Sequence, residues 1–189
     1  MIRIGILGNI GSGKSYVAKN FGYPVFNADY EVSKLYKKDK KIFKKLKKKL
    51  PKYISSFPIN KNEITNAILS NKVNLKKIIS IVHLEIRKIL KLFLKKNRNK
   101  KVIILDIPLL LENKINNKND ILVFVESKKI EIEKRLKKRL NFNRKLINKF
   151  KKIQFSSSHK RRISNFIIKN NFKKKSLKMS IKKILNEIL

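Results

Sequence analysis

The amino-acid sequence predicts an α/β protein in which a five-stranded parallel sheet is flanked by helices. Three observations support this prediction. Five short apolar segments have the character of buried strands, and segments with helical periodicity separate them. A glycine-rich segment joins the first strand to the first helix. The predicted strands are residues 2–7, 24–26, 102–105, 121–125 and 166–168.

Residues 8–15 follow the first predicted strand and match the pattern G-x-x-x-x-G-K-S of a phosphate-binding loop, or P-loop. All 5 glycines of the chain lie between Gly5 and Gly22, and glycine readily adopts the left-handed backbone conformations that such a loop needs. The inward-facing N–H groups of the loop and the start of the following helix form an anion site. The candidate nucleotide-binding residues are Gly8, Gly11, Ser12, Gly13, Lys14, Ser15 and Tyr16.

Two side chains of this loop are expected to bind ATP and Mg²⁺. Lys14 should reach the β- and γ-phosphates, and the Ser15 hydroxyl should ligate Mg²⁺. A chance match in a glycine turn is the alternative, but the strand–loop–helix context is the one that the motif requires. The sequence therefore predicts a nucleotide-binding protein.

The segment between the second and third strands is predicted to be a long helical insertion. Its clearest helix covers residues 74–95, where apolar residues recur at three- and four-residue spacing and form one stripe. The chain contains no internal repeat and no Gly/Ser linker, so the sequence predicts a single domain over residues 1–189.

The formal net charge of +38 allows two interpretations. A solvated basic surface is favoured, because the lysines are scattered and the bias toward Lys, Ile and Asn fits an A/T-rich genome. A basic nucleic-acid-binding protein is the alternative. The absence of cysteine excludes disulfides and zinc ribbons. No apolar run approaches the roughly 18 to 20 residues of a membrane helix, so we expect a cytoplasmic protein without a membrane partner.

Acidic residues are scarce, so those that follow predicted strands are informative. Asp29 follows the second strand, at the edge of a parallel sheet where ligands bind, and can accept a proton from an attacking hydroxyl or hold Mg²⁺ through water. Its alternative role is the N-cap of a helix beginning near Tyr30. Asp106 ends the third apolar run and is the candidate Walker B carboxylate. Glu112 either contacts substrate at the same edge or caps the surface.

Basic residues in the second half of the chain have two interpretations. Arg135 and Arg139 lie four residues apart on one predicted helical face, and arginines that fold over ATP can stabilise the transferring phosphoryl group. The alternative is a solvated basic helix. His83 lies on or beside the apolar stripe of the insertion, which favours a packed histidine over a catalytic one.

Several segments in the same order together resemble the dephospho-CoA kinase family. The interior of the P-loop, residues 9–12, is similar to that of the family. Residues 27–29 read Asn-Ala-Asp and agree with the family's Asp-Ala-Asp segment at the last two positions. Residues 82–86 resemble a segment that usually reads His-Pro, and residues 106–112 resemble a Pro-Leu-Leu-x-Glu motif. The residues that fall at lid positions of the family are Arg135, Arg139, Gln154, Lys160 and Arg161.

This resemblance implies transfer of the ATP γ-phosphoryl group to the ribose 3′-hydroxyl of dephospho-CoA, giving CoA and ADP. It also implies a core of residues 1–58 and 99–189, a substrate-binding insertion at about 60–98 and a lid at about 139–160. The implied catalytic residues are Asp29, Lys14 and Arg139, and the implied substrate-binding residues are Asp29, His83, Pro108, Leu109 and Glu112. The candidate Mg²⁺ ligands are Ser15 and, second, Asp106.

Two other functions stay open at this stage. The P-loop alone also fits another small-molecule or nucleoside monophosphate kinase of the same architecture. The high charge keeps the nucleic-acid-binding alternative open, although specific recognition of nucleic acid is not expected. The sequence makes no prediction of the oligomeric state.

Overall fold

The computed structural model describes residues 1–139 and 142–189, and in this part of the chain five strands form one parallel sheet. The strands are β1 (Ile2–Gly8), β2 (Val25–Asn27), β3 (Val102–Asp106), β4 (Ile121–Glu126) and β5 (Phe166–Lys169). Their order across the sheet is β2-β3-β1-β4-β5, so β1 is the central strand. Each strand agrees with a predicted segment to within one residue at either end. The predicted fold class is confirmed.

Helices follow or separate these strands throughout the described ranges. They are α1 (Lys14–Asn20), α2 (Ala28–Lys38), α3 (Lys40–Lys49), α4 (Lys61–Ser70), α5 (Lys72–Lys96), α6 (Lys129–Lys137), α7 (Arg144–Ile153), α8 (Ser157–Arg162) and α9 (Lys174–Ile188). Helix α5 contains the helix predicted over residues 74–95, and its buried residues recur at the predicted three- and four-residue spacing: Leu75, Ile78, Val82, Ile86 and Leu90. None of the helices in the described ranges has the length and apolar character needed to cross a membrane.

The chain divides into two compact units. The first consists of residues 1–27, 97–143 and 150–189, and it contains the whole sheet. The second consists of residues 28–96 and 144–149, and it contains the helices α2 to α5. The domain organisation proposed from the sequence stays a prediction.

In the first unit, α1 and α9 cover one face of the sheet. Their buried side chains pack against alternate strand residues, because successive side chains of a strand point to opposite faces. All residues of β3 are buried, which explains why this strand reads as a continuous apolar run. Each fully buried Val, Leu or Ile stabilises the fold by about 1.5–3 kcal/mol. The core on this face consists of Ile4, Ile6, Val17, Ala18, Phe21, Val102, Ile104, Val123, Val125, Ile168, Leu177, Ile181 and Ile184.

In the second unit, side-chain caps define where helices begin and end. The Asp39 side chain accepts hydrogen bonds from two backbone N–H groups at the start of α3. Asn60 and Glu63 form a reciprocal capping box at the start of α4. At the other end of α4, the Lys149 ammonium donates to the carbonyls of Ile68 and Leu69, both at 2.7 Å. These contacts satisfy backbone groups that a helix leaves without partners at its ends.

Candidate active site

The P-loop connects the central strand to a helix in the way that its motif requires. Strand β1 ends at Gly8, and α1 begins at Lys14, directly after Gly13. Gly13 is the N-cap residue of α1 with a φ of 91°, a left-handed conformation that favours glycine. No side chain caps this helix, so its first N–H groups face the region where an anion would bind.

Close packing within and around the loop excludes side chains at two glycine positions. A Cβ atom at Gly13 would lie 2.5 Å from Nδ2 of Asn170, and a Cβ atom at Gly8 would lie 2.7 Å from Oγ of Ser12. Both separations are shorter than Cβ atoms tolerate. The glycines of the motif therefore provide space as well as backbone freedom.

The lysine of the motif lies over its own loop. Its Nζ atom donates hydrogen bonds to the carbonyl oxygens of Gly8 and Asn9, at 3.1 and 3.0 Å. The next two residues, Ser15 and Tyr16, are exposed in the first turn of α1. A flexible ammonium held by carbonyl oxygens can exchange them for phosphate oxygens, which carry more negative charge.

A carboxylate and an amide meet at the carboxyl ends of neighbouring strands. Asp106 is the last residue of β3 and is 3% exposed, and Asn27 is the last residue of β2. The two residues are paired in the strand register, and Nδ2 of Asn27 donates to Oδ2 of Asp106 at 2.6 Å. Because β3 is also parallel to β1, Asp106 lies at the same sheet edge as Gly8. The sequence prediction for Asp106 placed it at this edge.

Glu112 is a buried partner of two groups from a distant part of the chain. Its Oε1 atom lies 3.1 Å from Nζ of Lys160 and accepts a hydrogen bond from the Phe155 N–H at 2.8 Å. The side chains of Lys160 and Glu112 are 2% and 9% exposed, respectively. The interpretation of Glu112 as a surface cap is therefore wrong, because the carboxylate forms an inward-facing ion pair. Its contact with substrate stays a prediction.

The stretch 154–161 makes three further contacts with the core of the first unit. Each joins a side chain of this stretch to a residue that follows or ends a strand, and one reaches the P-loop itself. The contacts are Gln154 Nε2 to the Pro108 carbonyl at 3.4 Å, Ser157 Oγ to Asn9 Oδ1 at 2.8 Å and Arg161 to Glu126 at 2.9 Å. The part of the predicted lid from residue 154 onward thus lies beside the phosphate-binding loop.

The other predicted lid residues are described only in part. Residues 140 and 141 lie outside the described residues. Arg139, the residue before them, has an exposed side chain. The guanidinium of Arg135, on α6, lies 4.1 Å from the ring centroid of Phe172, a cation–π contact.

Asp29 belongs to the second unit and lies inside a helix. Strand β2 continues directly into α2, which begins at Ala28, so Asp29 is in the first helical turn and not at its N-cap. The N-cap interpretation is wrong because an N-cap residue precedes the first helical residue, and α2 begins one residue before Asp29. The exposed carboxylate instead interacts favourably with the positive end of the helix dipole.

His83 is a half-buried residue of α5 in the second unit. Burial, and secondarily the positive charge of Arg87, lowers the pKa of His83 below its ordinary value of 6.5. The imidazole is therefore neutral near pH 7. This environment agrees with the expected packed or boundary histidine, and its contact with substrate stays a prediction.

The family model for dephospho-CoA kinase matches residues 2–176. The chain belongs to the dephospho-CoA kinase family. Among relatives, a dephospho-CoA kinase of Wolbachia pipientis is 33% identical over 98% of this chain and 97% of its own length. The resemblance stated from the sequence is confirmed. So is the predicted enzyme class, an ATP-dependent kinase of coenzyme A biosynthesis.

Two solved structures resemble this member of the dephospho-CoA kinase family over nearly its whole length. The protein TT1252 of Thermus thermophilus has a TM-score of 0.81 and 27% identity, covering 100% of this chain and 98% of its own. A dephospho-CoA kinase of Campylobacter jejuni has a TM-score of 0.61 and 20% identity, covering 98% and 96%, respectively. The second likeness concerns the fold alone.

The structure brings part of the predicted site together. The P-loop, Asp106 and the turn containing Pro108, Leu109 and Glu112 belong to the first unit. Asp29 and His83 belong to the second unit.

Sequence reasoning missed two polar residues that contact the P-loop. Ser127 directly follows β4, Asn170 directly follows β5, and both donate hydrogen bonds to the Ser12 carbonyl. Their positions in the sequence could have identified them, because both closely follow predicted parallel strands, and ligand sites form at the carboxyl ends of such strands. Carboxylates stand out in this chain because they are scarce, whereas a serine or an asparagine at a strand end does not.

Proposed function

We propose that this chain transfers the γ-phosphoryl group of ATP to the ribose 3′-hydroxyl of dephospho-CoA, giving CoA and ADP. The observation that carries this proposal is a complete P-loop at the centre of the sheet, in a chain that matches the dephospho-CoA kinase family model over residues 2–176. In phosphoryl transfer, catalysis comes mainly from positioning and from neutralising charge.

The loop residues supply the positive charge for this reaction. Backbone N–H groups at the start of α1 face the phosphates, and Lys14 leaves the carbonyls of Gly8 and Asn9 to bind the β- and γ-phosphate oxygens. The buried Ser12 hydroxyl supports this role, because within the described part of the chain Oγ has no hydrogen-bond partner. Such a buried donor costs about 1–3 kcal/mol until it finds an acceptor.

The oxygen ligands near the loop fit Mg²⁺ bound together with ATP. Ser15 presents an exposed hydroxyl, and Asp106 presents a carboxylate at the same sheet edge. The described ranges contain no cluster of three or more His, Cys, Asp or Glu residues that could hold a metal ion. Mg²⁺ requires no such cluster, because it commonly uses one or two protein oxygens, substrate phosphates and water. When bound, it would neutralise charge on the phosphates.

The remaining roles concern the acceptor and the lid. Asp29 accepts the proton of the 3′-hydroxyl as that oxygen attacks, and its exposure leaves the carboxylate accessible. Arg139 contacts ATP from the lid. The proposed substrate contacts are Asp29, His83, Pro108, Leu109 and Glu112.

The proposal is tested by measuring ADP release with Mg-ATP and a panel of acceptors. Dephospho-CoA should support turnover, with CoA as the product, whereas AMP, CMP, UMP and shikimate should not. Turnover with another acceptor would contradict the substrate but leave the P-loop chemistry intact. Failure with every acceptor would contradict the kinase activity itself.

A further inference from the structure

The carbonyl oxygen of Ser12 accepts two side-chain hydrogen bonds from the ends of neighbouring strands. Ser127 Oγ and Asn170 Nδ2 each donate to this oxygen at 2.9 Å. Ser127 follows β4 and Asn170 follows β5, so the two donors come from segments more than forty residues apart in sequence. We call these two residues the Ser12 clamp.

The amide of Asn170 has partners for both of its ends. Nδ2 donates to Ser12, and Oδ1 accepts from the Phe172 N–H at 3.0 Å. Only this orientation of the amide satisfies both contacts, because the reverse would place two acceptors and two donors together. The residue is 4% exposed, and its backbone N–H donates to the Glu126 carbonyl at 2.7 Å. A buried side chain with this set of hydrogen bonds has a fixed position.

This fixed amide also sets the conformation of the residue after Ser12. Nδ2 of Asn170 occupies the space next to Gly13, where a Cβ atom would approach it to 2.5 Å. Since a trans peptide is planar, its N–H points opposite to its C=O. Holding the Ser12 carbonyl toward Asn170 therefore turns the Gly13 N–H to the other side of the loop.

We propose that Asn170, assisted by Ser127, is a positioning residue for ATP binding, which acts by orienting the Ser12–Gly13 peptide so that the Gly13 N–H donates to a phosphate oxygen. This proposal rests on the proposed function, because the phosphate belongs to ATP. Asn170 itself acts through the loop peptide.

Asn170→Asp is the sharpest test, because it keeps the size of the side chain and the acceptor for Phe172 but replaces the donor by a carboxylate oxygen that repels the Ser12 carbonyl. The matched control is Asn171→Asp, which introduces the same charge one residue later. Asn171 is exposed, and its Oδ1 accepts from Lys173 and Ser176, two contacts that an aspartate can keep. Titration calorimetry with Mg-ATP measures binding directly, and Tm reports folding.

We expect Asn170→Asp to weaken ATP binding by roughly tenfold or more and Asn171→Asp by less than about twofold. The KM for ATP should rise in Asn170→Asp while the KM for dephospho-CoA changes little. A merely structural role would instead lower Tm or the active fraction and leave the ATP affinity of the folded protein unchanged. That result, or equal effects of the two variants on ATP affinity, would overturn the proposal.

Ser127→Ala provides an independent test that introduces no charge. It should weaken ATP binding in the same direction but by a smaller factor, because Asn170 still holds the carbonyl. If Asn170→Asp does not fold, unchanged ATP affinity in Ser127→Ala overturns the proposal. Calorimetry also separates the two proposals, because a parent protein that binds ATP without phosphorylating dephospho-CoA would contradict the substrate and not the clamp.

Discussion

Among the ion pairs of the stretch 154–161, the buried pair between Glu112 and Lys160 should be the most costly to break by removing one partner. Glu112→Gln keeps the size of the side chain and an acceptor for the Phe155 N–H, but it removes the negative charge 3.1 Å from Nζ of Lys160. The ammonium, on a side chain that is 2% exposed, is then buried without its counter-charge. Breaking a buried pair in this way costs about 3–5 kcal/mol.

The same stretch contains a matched control. Arg161 and Glu126 form an ion pair of 2.9 Å, but their side chains are 52% and 34% exposed. Water and salt screen such a pair, so Glu126→Gln should cost at most about 1 kcal/mol. The two substitutions change the same chemical group, and the difference between them isolates the effect of burial.

Urea denaturation at pH 7 measures the free energy of unfolding, and amide hydrogen exchange over residues 154–161 shows whether this stretch opens alone. We expect Glu112→Gln to speed local exchange by a hundredfold or more, as a loss of about 3 kcal/mol requires. The double variant Glu112→Gln/Lys160→Met should recover most of the stability, because an apolar side chain replaces the unpaired charge. A Glu112→Gln cost no larger than that of Glu126→Gln would refute the reasoning.

Three further predictions concern the proposed chemistry and the helical unit. Lys14→Ala should lower turnover at least about a hundredfold, because a phosphate contact is lost, and should lower Tm only slightly, because the two hydrogen bonds that are also lost are part-buried contacts with loop carbonyls. Near-normal turnover in the ADP-release assay would contradict the mechanism. Asp29→Asn should lower kcat by roughly a hundredfold or more in the same assay, and a loss of only a few-fold would reduce Asp29 to a helix first-turn residue. Burial lowers the pKa of His83 in the folded protein below 6.5. The unfolded state therefore binds more protons than the folded state below pH 6.5, and the free energy of unfolding decreases as the pH falls through the folded pKa. His83→Gln should flatten this slope in urea titrations between pH 7 and pH 5, and an unchanged slope would contradict the assignment.

Much of the fold could be predicted because its signals are local. The buried strands are short apolar runs, and the P-loop is a contiguous motif whose backbone geometry follows from its glycines. The boundary near Asp29 was less predictable. An aspartate before a helix usually caps it, but here β2 runs into α2 at Ala28 without a connecting residue. Tertiary pairing of the strand overrode the local preference.

The contacts of the stretch 154–161 could not be predicted, because they join residues far apart in sequence. Lys160 is one of 50 lysines and arginines, and nothing in its local sequence distinguishes the buried ammonium from the exposed ones. Glu112 belongs to a contiguous motif, but its partner lies forty-eight positions later. Identifying such a pair requires the chain topology, which brings both segments to the carboxyl edge of the sheet.

The site residues that were identified from the sequence and those that were not occupy this same edge, and they do so for the same physical reason. A parallel strand ends with backbone groups that no neighbouring strand satisfies, so polar side chains and tight turns collect there. Every strand of the described sheet has a polar side chain or a tight turn at or directly after its end, and the residues are Gly8, Asn27, Asp106, Ser127 and Asn170. Asn27 fixes the Asp106 carboxylate, and Ser127 and Asn170 fix the loop peptide. The carboxylates at this edge are the groups expected to meet a metal or a proton. The amide and hydroxyl side chains at this edge orient the carboxylate and the loop. They would have been predicted as well if every hydrogen-bonding side chain at a strand end, and not only the carboxylates, were counted as a candidate site residue.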